Sequence, residues 1–134
     1  MDKTKPLVAI VDDDLPVCRA IRRLVISLGM DAQTFCSGQE FLDFLEAVPA
    51  YSADCVVLDV QMQGLSGLEV QQRLASSNPV LPVIMITAHE TAQIRESALA
   101  AGAVAFLRKP FDDGLFLRTL ETALAGHTAM RRSP

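Results

Sequence analysis

No stretch of this 134-residue chain is apolar for the roughly 18 consecutive residues that a bilayer span requires. The N-terminal Met1-Asp2-Lys3-Thr4-Lys5-Pro6 has no signal-peptide core behind it. The cytoplasm is therefore the expected compartment, and no membrane partner is expected. A basic excess is also missing: 12 Lys and Arg stand against 16 Asp and Glu, a formal net charge of -4, so direct nucleic-acid binding is not expected. Arg131-Arg132 is too short for a basic arm. Three cysteines, Cys18, Cys36 and Cys55, are odd in number and lack a C-x-x-C spacing, which excludes an evident metal or disulfide framework. Buried free thiols are expected. There is no internal repeat, low-complexity segment or linker, so one domain over residues 1–127 with a short tail at 128–134 is expected, and no output domain within these residues.

What the chain does have is a set of short apolar runs that end abruptly in reactive groups. Leu7–Val11 stops at Asp12-Asp13, 55–58 at Asp59, 83–86 at Thr87, and 104–107 at Arg108-Lys109-Pro110. Runs of that length between helical patterns read as buried parallel strands. A weaker alternation at 31–35, with Gln33 and Thr34, suits a sheet edge.

Between them lie amphipathic helices. The first has apolar positions at Val17, Ala20, Ile21, Leu24, Val25 and Leu28, with Pro16 near its start and Gly29 as its stop. Ser37-Gly38-Gln39-Glu40 and Ser66-Gly67-Leu68-Glu69 read as capping boxes. Asn78-Pro79 ends the third helix, Ile94, Ala98 and Leu99 line the fourth before Gly102, and Asp112 caps a fifth ending near Gly126. Five βα units with short connections imply an α/β fold, a doubly wound parallel sheet with helices on both faces.

Ligands of such sheets bind beyond the carboxyl ends of the strands. Three acids, a hydroxyl and an ammonium should thus converge at one edge, a place for a hard cation and a phosphoryl group. Asp59 is the candidate nucleophile, since a carboxylate can accept a phosphoryl group as an acyl phosphate; the bland alternative is an ordinary loop aspartate. Acids crowded there would repel one another unless a cation neutralised them. Asp12 and Asp13 are the candidate Mg²⁺ pair, Asp13 bonding directly and Asp12 mainly through water, whereas Asp14 more plausibly caps the first helix. Thr87 could donate to a phosphoryl oxygen or simply end a strand. Lys109 could pair with the same group or sit in solvent. The Lys109-Pro110 bond could be cis, aiming the lysine inward.

These residues resemble the receiver domain of bacterial two-component response regulators. The matching segments are Val8-Ala9-Ile10-Val11-Asp12-Asp13-Asp14, Val57-Leu58-Asp59-Val60-Gln61-Met62, Gly67, Ile86-Thr87-Ala88, Ala101-Gly102-Ala103 and Lys109-Pro110-Phe111. The Ala101-Gly102-Ala103-Val104-Ala105-Phe106 run and the Lys-Pro-Phe ending look closest to receivers of nodulation- and nitrogen-type transcriptional regulators. The resemblance implies a flavodoxin-like three-layer (βα)5 fold of strand order 2-1-3-4-5. It implies Mg²⁺-dependent phosphorylation of Asp59 by the phosphohistidine of a sensor histidine kinase, with the backbone carbonyl of Gln61 completing the metal shell. Thr87 becomes the switch hydroxyl, Lys109 the phosphoryl-pairing ammonium and Phe106 the switch aromatic, which turns inward. Gln61 and His89 occupy positions that tune phosphoryl lifetime. Such a domain is no turnover enzyme beyond its own phosphorylation and dephosphorylation. A downstream output domain or protein, relay to a histidine phosphotransfer protein, and a homodimer through the fourth helix, fifth strand and fifth helix are the partners it implies.

One departure is Met62-Gln63 where the family often has Met-Pro; Gln63 frees φ and restores a backbone donor, so a less rigid loop is expected. Three rivals compete. A small-molecule aspartyl-phosphate hydrolase usually has a second acid two residues after its nucleophile, where this chain has Gln61. A nucleotide or flavin module would want a glycine-rich loop after the first strand, where two aspartates stand. A degenerate receiver, never phosphorylated, would lack part of the residue set.

Overall fold

The computed structural model describes residues 5–132. Five strands, β1 (Leu7–Val11), β2 (Asp31–Phe35), β3 (Cys55–Asp59), β4 (Val83–Thr87) and β5 (Ala105–Arg108), alternate with five helices. The helices are α1 (Leu15–Ser27), α2 (Gly38–Ala47), α3 (Gly67–Ser77), α4 (Ala92–Ala100) and α5 (Asp113–Arg132). The strands pair in parallel in the order β2-β1-β3-β4-β5, the flavodoxin-like order. In β3 and β4 every residue is buried, which is why their sequences are unbroken apolar runs rather than alternations. On one face Val8, Ile10, Val57, Ile84 and Ile86 pack with Ile21 and Val25 of α1 and Phe116 and Leu120 of α5. On the other, Ala9, Val11, Val56, Leu58 and Met85 pack with Phe41 of α2, Leu74 of α3 and Ala98 of α4.

Local chemistry sets most helix ends. Asp14 caps α1 by accepting from Val17 N, and Gly29, at φ +84°, turns the chain after it. Ser66 and Glu69 form a reciprocal capping box on α3. At α2 the expected box is offset by one residue: Ser37 accepts from Glu40 N, but the Glu40 carboxylate reaches back to Cys36 N at 2.7 Å.

Other boundaries also differ from expectation. β5 is shifted by one residue, because pairing begins at Ile84 with Ala105 and leaves Val104 exposed. Leu99 is exposed as well, so α4 buries only Ala98 fully. Cys36 is exposed, unlike Cys18 and Cys55, because it follows the last residue of edge strand β2. α5 does not end near Gly126 but runs to Arg132 and overruns the tail expected at 128. A glycine weakens a helix by only about 1 kcal/mol, and the helix formers Ala129, Met130, Arg131 and Arg132 follow it. Residues 133–134 of that tail lie outside the described residues.

Gly67 is the glycine on which the site's shape depends. Its N–H donates to the Val60 carbonyl at 2.8 Å, and a Cβ built on it would fall onto the Asp59 carbonyl oxygen and 2.9 Å from Val60 Cα. The obstacle is backbone, so it cannot rotate away. Gly67→Ala should lower unfolding stability in urea by about 2–3 kcal/mol, the upper part of the usual range for overpacking, because the obstacle is backbone. A loss below about 0.5 kcal/mol would mean that α3 does not brace the β3 end.

Candidate functional site

The carboxyl ends of β1, β3, β4 and β5 open on one edge of the sheet. Asp12 and Asp13 follow β1, Asp59 and Thr87 are the last residues of β3 and β4, and Lys109 follows β5. Carboxylate oxygens of Asp12, Asp13 and Asp59 all lie within 4.8 Å of one another. Asp12 is fully buried and Asp59 nearly so, whereas Asp13 is exposed. Lys109 Nζ reaches into the cluster, 2.9 Å from Asp12 Oδ2 and 3.5 Å from Asp59 Oδ1. The Lys109-Pro110 peptide bond is cis, and Lys109 N donates to the Thr87 carbonyl at 2.7 Å.

The two aspartates after β1 are not equivalent. Asp12 spends one oxygen on Lys109 and the other on the N–H of Asp14, at 2.9 Å. Asp13 accepts from Gln63 N at 3.1 Å through Oδ2. The donor that the absence of proline restores at Gln63 therefore ties that loop to Asp13, where a looser loop was expected.

Thr87 is completely buried; its hydroxyl accepts from His89 N at 3.1 Å and faces Gln61 Oε1 at 3.4 Å. Gln61 N donates to Asp59 Oδ1 at 3.4 Å. So Asp12, Asp13, Asp59, Gln61, Thr87 and Lys109 are brought together. His89 joins through its backbone, with the residue itself exposed. Phe106 is not in the site: it sits in the core, 8% exposed, with the Arg95 guanidinium 6.0 Å above its ring.

Three contributions escaped the sequence reading. The Cys18 thiol donates to the Asp12 carbonyl at 3.1 Å, and burial, reinforced by Asp12, pushes its pKa up to about 12, so it stays a neutral donor. The Gln63 tether and the Arg95 cover over Phe106 are the other two. Cys18 left a signal in its inward position on the α1 pattern and Gln63 in the backbone donor it restores, whereas the Arg95 contact left none.

Burial, then the charge of Asp12, drives the Asp59 carboxyl up to about 7, against the opposing pull of Lys109 and of Gln61 N–H. For Lys109, burial works to lower the pKa, but the Asp12 hydrogen bond and the Asp59 and Asp12 charges outweigh it, leaving the ammonium held above its ordinary value. The cluster thus has one fixed cation for three carboxyl groups. All-oxygen donors with an excess of negative charge are the chemistry that suits a hard divalent cation.

A model of the response regulator receiver domain matches residues 8–121. The chain belongs to that family. Nodulation protein W of Bradyrhizobium diazoefficiens is 40% identical over 110 residues, 82% of this chain and 47% of its own. Response regulator protein TmoT of Ectopseudomonas mendocina is 36% identical over 124 residues, 92% of this chain and 55% of its own. A solved response regulator receiver protein from Burkholderia phymatum is 60% identical, superposes with a TM-score of 0.83, and covers 90% of this chain and 96% of its own. The chain spans about half the length of the curated relatives it matches. Among the described residues no helix is long and apolar enough to cross a membrane.

The raised Asp59 pKa has a stability consequence. A carboxyl whose folded pKa lies above its unfolded one favours the fold at low pH, and that contribution is lost as pH rises from the ordinary carboxylate range through about 7. Asp59→Asn removes the ionising group. Its stability advantage over wild type, measured by urea unfolding in chelator, should grow between pH 5 and pH 8 by an amount on the order of a few kcal/mol. A difference flat across that window would remove the electrostatic account of the cluster.

Proposed function

We propose that this receiver accepts a phosphoryl group on Asp59 from the phosphohistidine of a partner sensor histidine kinase and signals by changing conformation. The observation that carries the reading is the convergence of the Asp12, Asp13 and Asp59 carboxylates within 4.8 Å, with Lys109 Nζ touching two of them. Asp12, Asp13, Asp59 and the Gln61 carbonyl would hold Mg²⁺, which when bound supplies positive charge to the carboxylates and to the phosphoryl oxygens. The donor set fits that ion, because Asp13 keeps an oxygen that makes no hydrogen bond to a described residue while both Asp12 oxygens are engaged.

An Asp59 carboxylate oxygen attacks phosphorus in line, forming the P–O bond as the donor's P–N bond breaks. Lys109, held charged by Asp12 and Asp59, is positioned to neutralise charge on the transferred group. Thr87, one strand over, is the hydroxyl donor to the new phosphoryl oxygens. Its movement shifts the balance between two packings of α4 and β5 around Phe106, a population shift rather than a new fold. Water later attacks the acyl phosphate, with Gln61 and His89 at the approach tuning its lifetime. The downstream partner engages the α4-β5-α5 face, whether as an attached output domain, a separate protein or a second copy, and the cytoplasm is the compartment of this exchange. Relay to a histidine phosphotransfer protein uses the same acyl phosphate.

Intact mass after incubation with acetyl phosphate and Mg²⁺ tests the reading. Wild type should gain one phosphoryl group, and Asp59→Asn none. Lys109→Ala should gain it about a hundredfold more slowly, the usual loss for one electrostatic stabiliser. Absence of an adduct in wild type, together with no beryllofluoride binding at Asp59, would leave a degenerate receiver.

A further inference from the structure

We infer that the Gln61 side chain is a positioning residue that holds the Thr87 hydroxyl proton while Asp59 is unphosphorylated, so that the switch begins by breaking this contact. The inference rests on the phosphoacceptor reading and concerns a step that the lifetime role of Gln61 does not contain.

The argument is one of hydrogen-bond accounting. A threonine hydroxyl has one proton and two lone pairs. In this protein His89 N–H donates to Thr87 Oγ1 at 3.1 Å, which occupies a lone pair and leaves the proton to be directed elsewhere. Thr87 is fully buried, and the acceptor that its Oγ1 faces is Gln61 Oε1 at 3.4 Å. The same proton cannot serve Gln61 and a phosphoryl oxygen at once. Gln61 is also bound to the acceptor residue itself, since its N–H donates to Asp59 Oδ1 at 3.4 Å. One residue therefore spans the nucleophile with its backbone and the switch hydroxyl with its side chain.

Lengths decide how strong this restraint is. An O–H···O bond of 3.4 Å is well beyond the usual 2.7–2.8 Å, and Gln61 is exposed, so water competes for its amide. A phosphoryl oxygen is a charged acceptor and makes the stronger bond, so it takes the proton. The restraint biases the resting state without blocking the switch. Phe106 does not supply the same bias, because it is already buried beneath Arg95 with the Thr87 hydroxyl still turned to Gln61.

The test compares Gln61→Met, close in size but without the amide oxygen, with Gln61→Glu, which keeps an acceptor. Thr87 side-chain rotamer populations are read by methyl NMR in unphosphorylated, divalent-free protein, a signature that altered packing alone would not change in one variant and spare in the other. Thr87 should become rotationally averaged in Gln61→Met and stay fixed in Gln61→Glu. Beryllofluoride in Mg²⁺ should half-saturate Gln61→Met at about threefold lower concentration than wild type, as expected for loss of one weak hydrogen bond from the resting state. Phosphorylation of Asp59 is followed on wild type by intact mass. A Thr87 that keeps its single rotamer in Gln61→Met, or an unchanged or higher half-saturation, overturns the inference while wild-type phosphorylation leaves the site reading standing. A wild type that takes no phosphoryl group overturns both.

Discussion

Three carboxylates within 4.8 Å of one another repel, and the architecture of the domain follows from making that arrangement tolerable. A parallel sheet covered on both faces admits polar residues only at the strand ends, so it collects Asp12, Asp59, Thr87 and Lys109 on one edge without any of them needing to be near in sequence. The Lys109 ammonium then meets Asp12 and Asp59 together, although Asp12 and Lys109 stand 97 positions apart in the chain. Backbone donors from Asp14, Gln61 and Gln63 supply the rest of the compensation, each spent on a different aspartate. The balance remains incomplete at Asp59, whose carboxyl is driven up to about 7 by burial and the Asp12 charge, and that incompleteness is what suits the cluster to a cation.

Legibility in the sequence followed the range of the forces involved. The residues 55–59, Cys-Val-Val-Leu-Asp, read as a buried strand ending in an acid, because the run is short and rich in valine, burial on both faces removes alternation, and the terminal polar residue marks where the sheet stops. Asp14 as a cap and the Ser66 to Glu69 box were equally plain, being contacts over three residues. Where a boundary depended on a neighbour in space, local reading slipped. β5 begins at Ala105 because β4 sets its register, and Glu40 passes over Ser37 N–H to bond Cys36 N. Strand order came from family resemblance, since periodicity says nothing about which strands are adjacent. The contacts of Gln61 with Thr87, Gln63 with Asp13 and Cys18 with Asp12 depend on the paths of loops. One of those paths is fixed by Gly67 lying against the Asp59 carbonyl.

The helices are unequally secured against the sheet, and this bears on how a local event at Asp59 would reach the surface. α5 lays Phe116, Leu120 and Ala123 against the sheet, and α3 buries Val70 and Leu74. α4 fully buries only Ala98, with Ile94 half covered and Leu99 turned to solvent. An element with so little buried apolar area is drawn from the low-stability end of the structure and is the least expensive to displace. It is also the helix that follows Thr87 in the chain: Thr91, four residues after Thr87, caps its first turn, and Arg95 on its second lies over Phe106.

A phosphoryl group can bias only what it contacts differently in two states, and in the function proposed above the hydroxyl of Thr87 is that contact. The free energy available from moving one proton between acceptors is small, about that of a single charge-assisted hydrogen bond less the neutral one it replaces. Displacing α3 or α5 with that sum would fail against several buried side chains each. Displacing α4 requires re-seating Ala98 and Ile94 and keeping or losing the Arg95 contact with Phe106, which is a commensurate demand. The weak packing of α4 and the weak 3.4 Å contact of Thr87 with Gln61 are thus matched in scale, as the proposed switch, driven by one covalent event, requires.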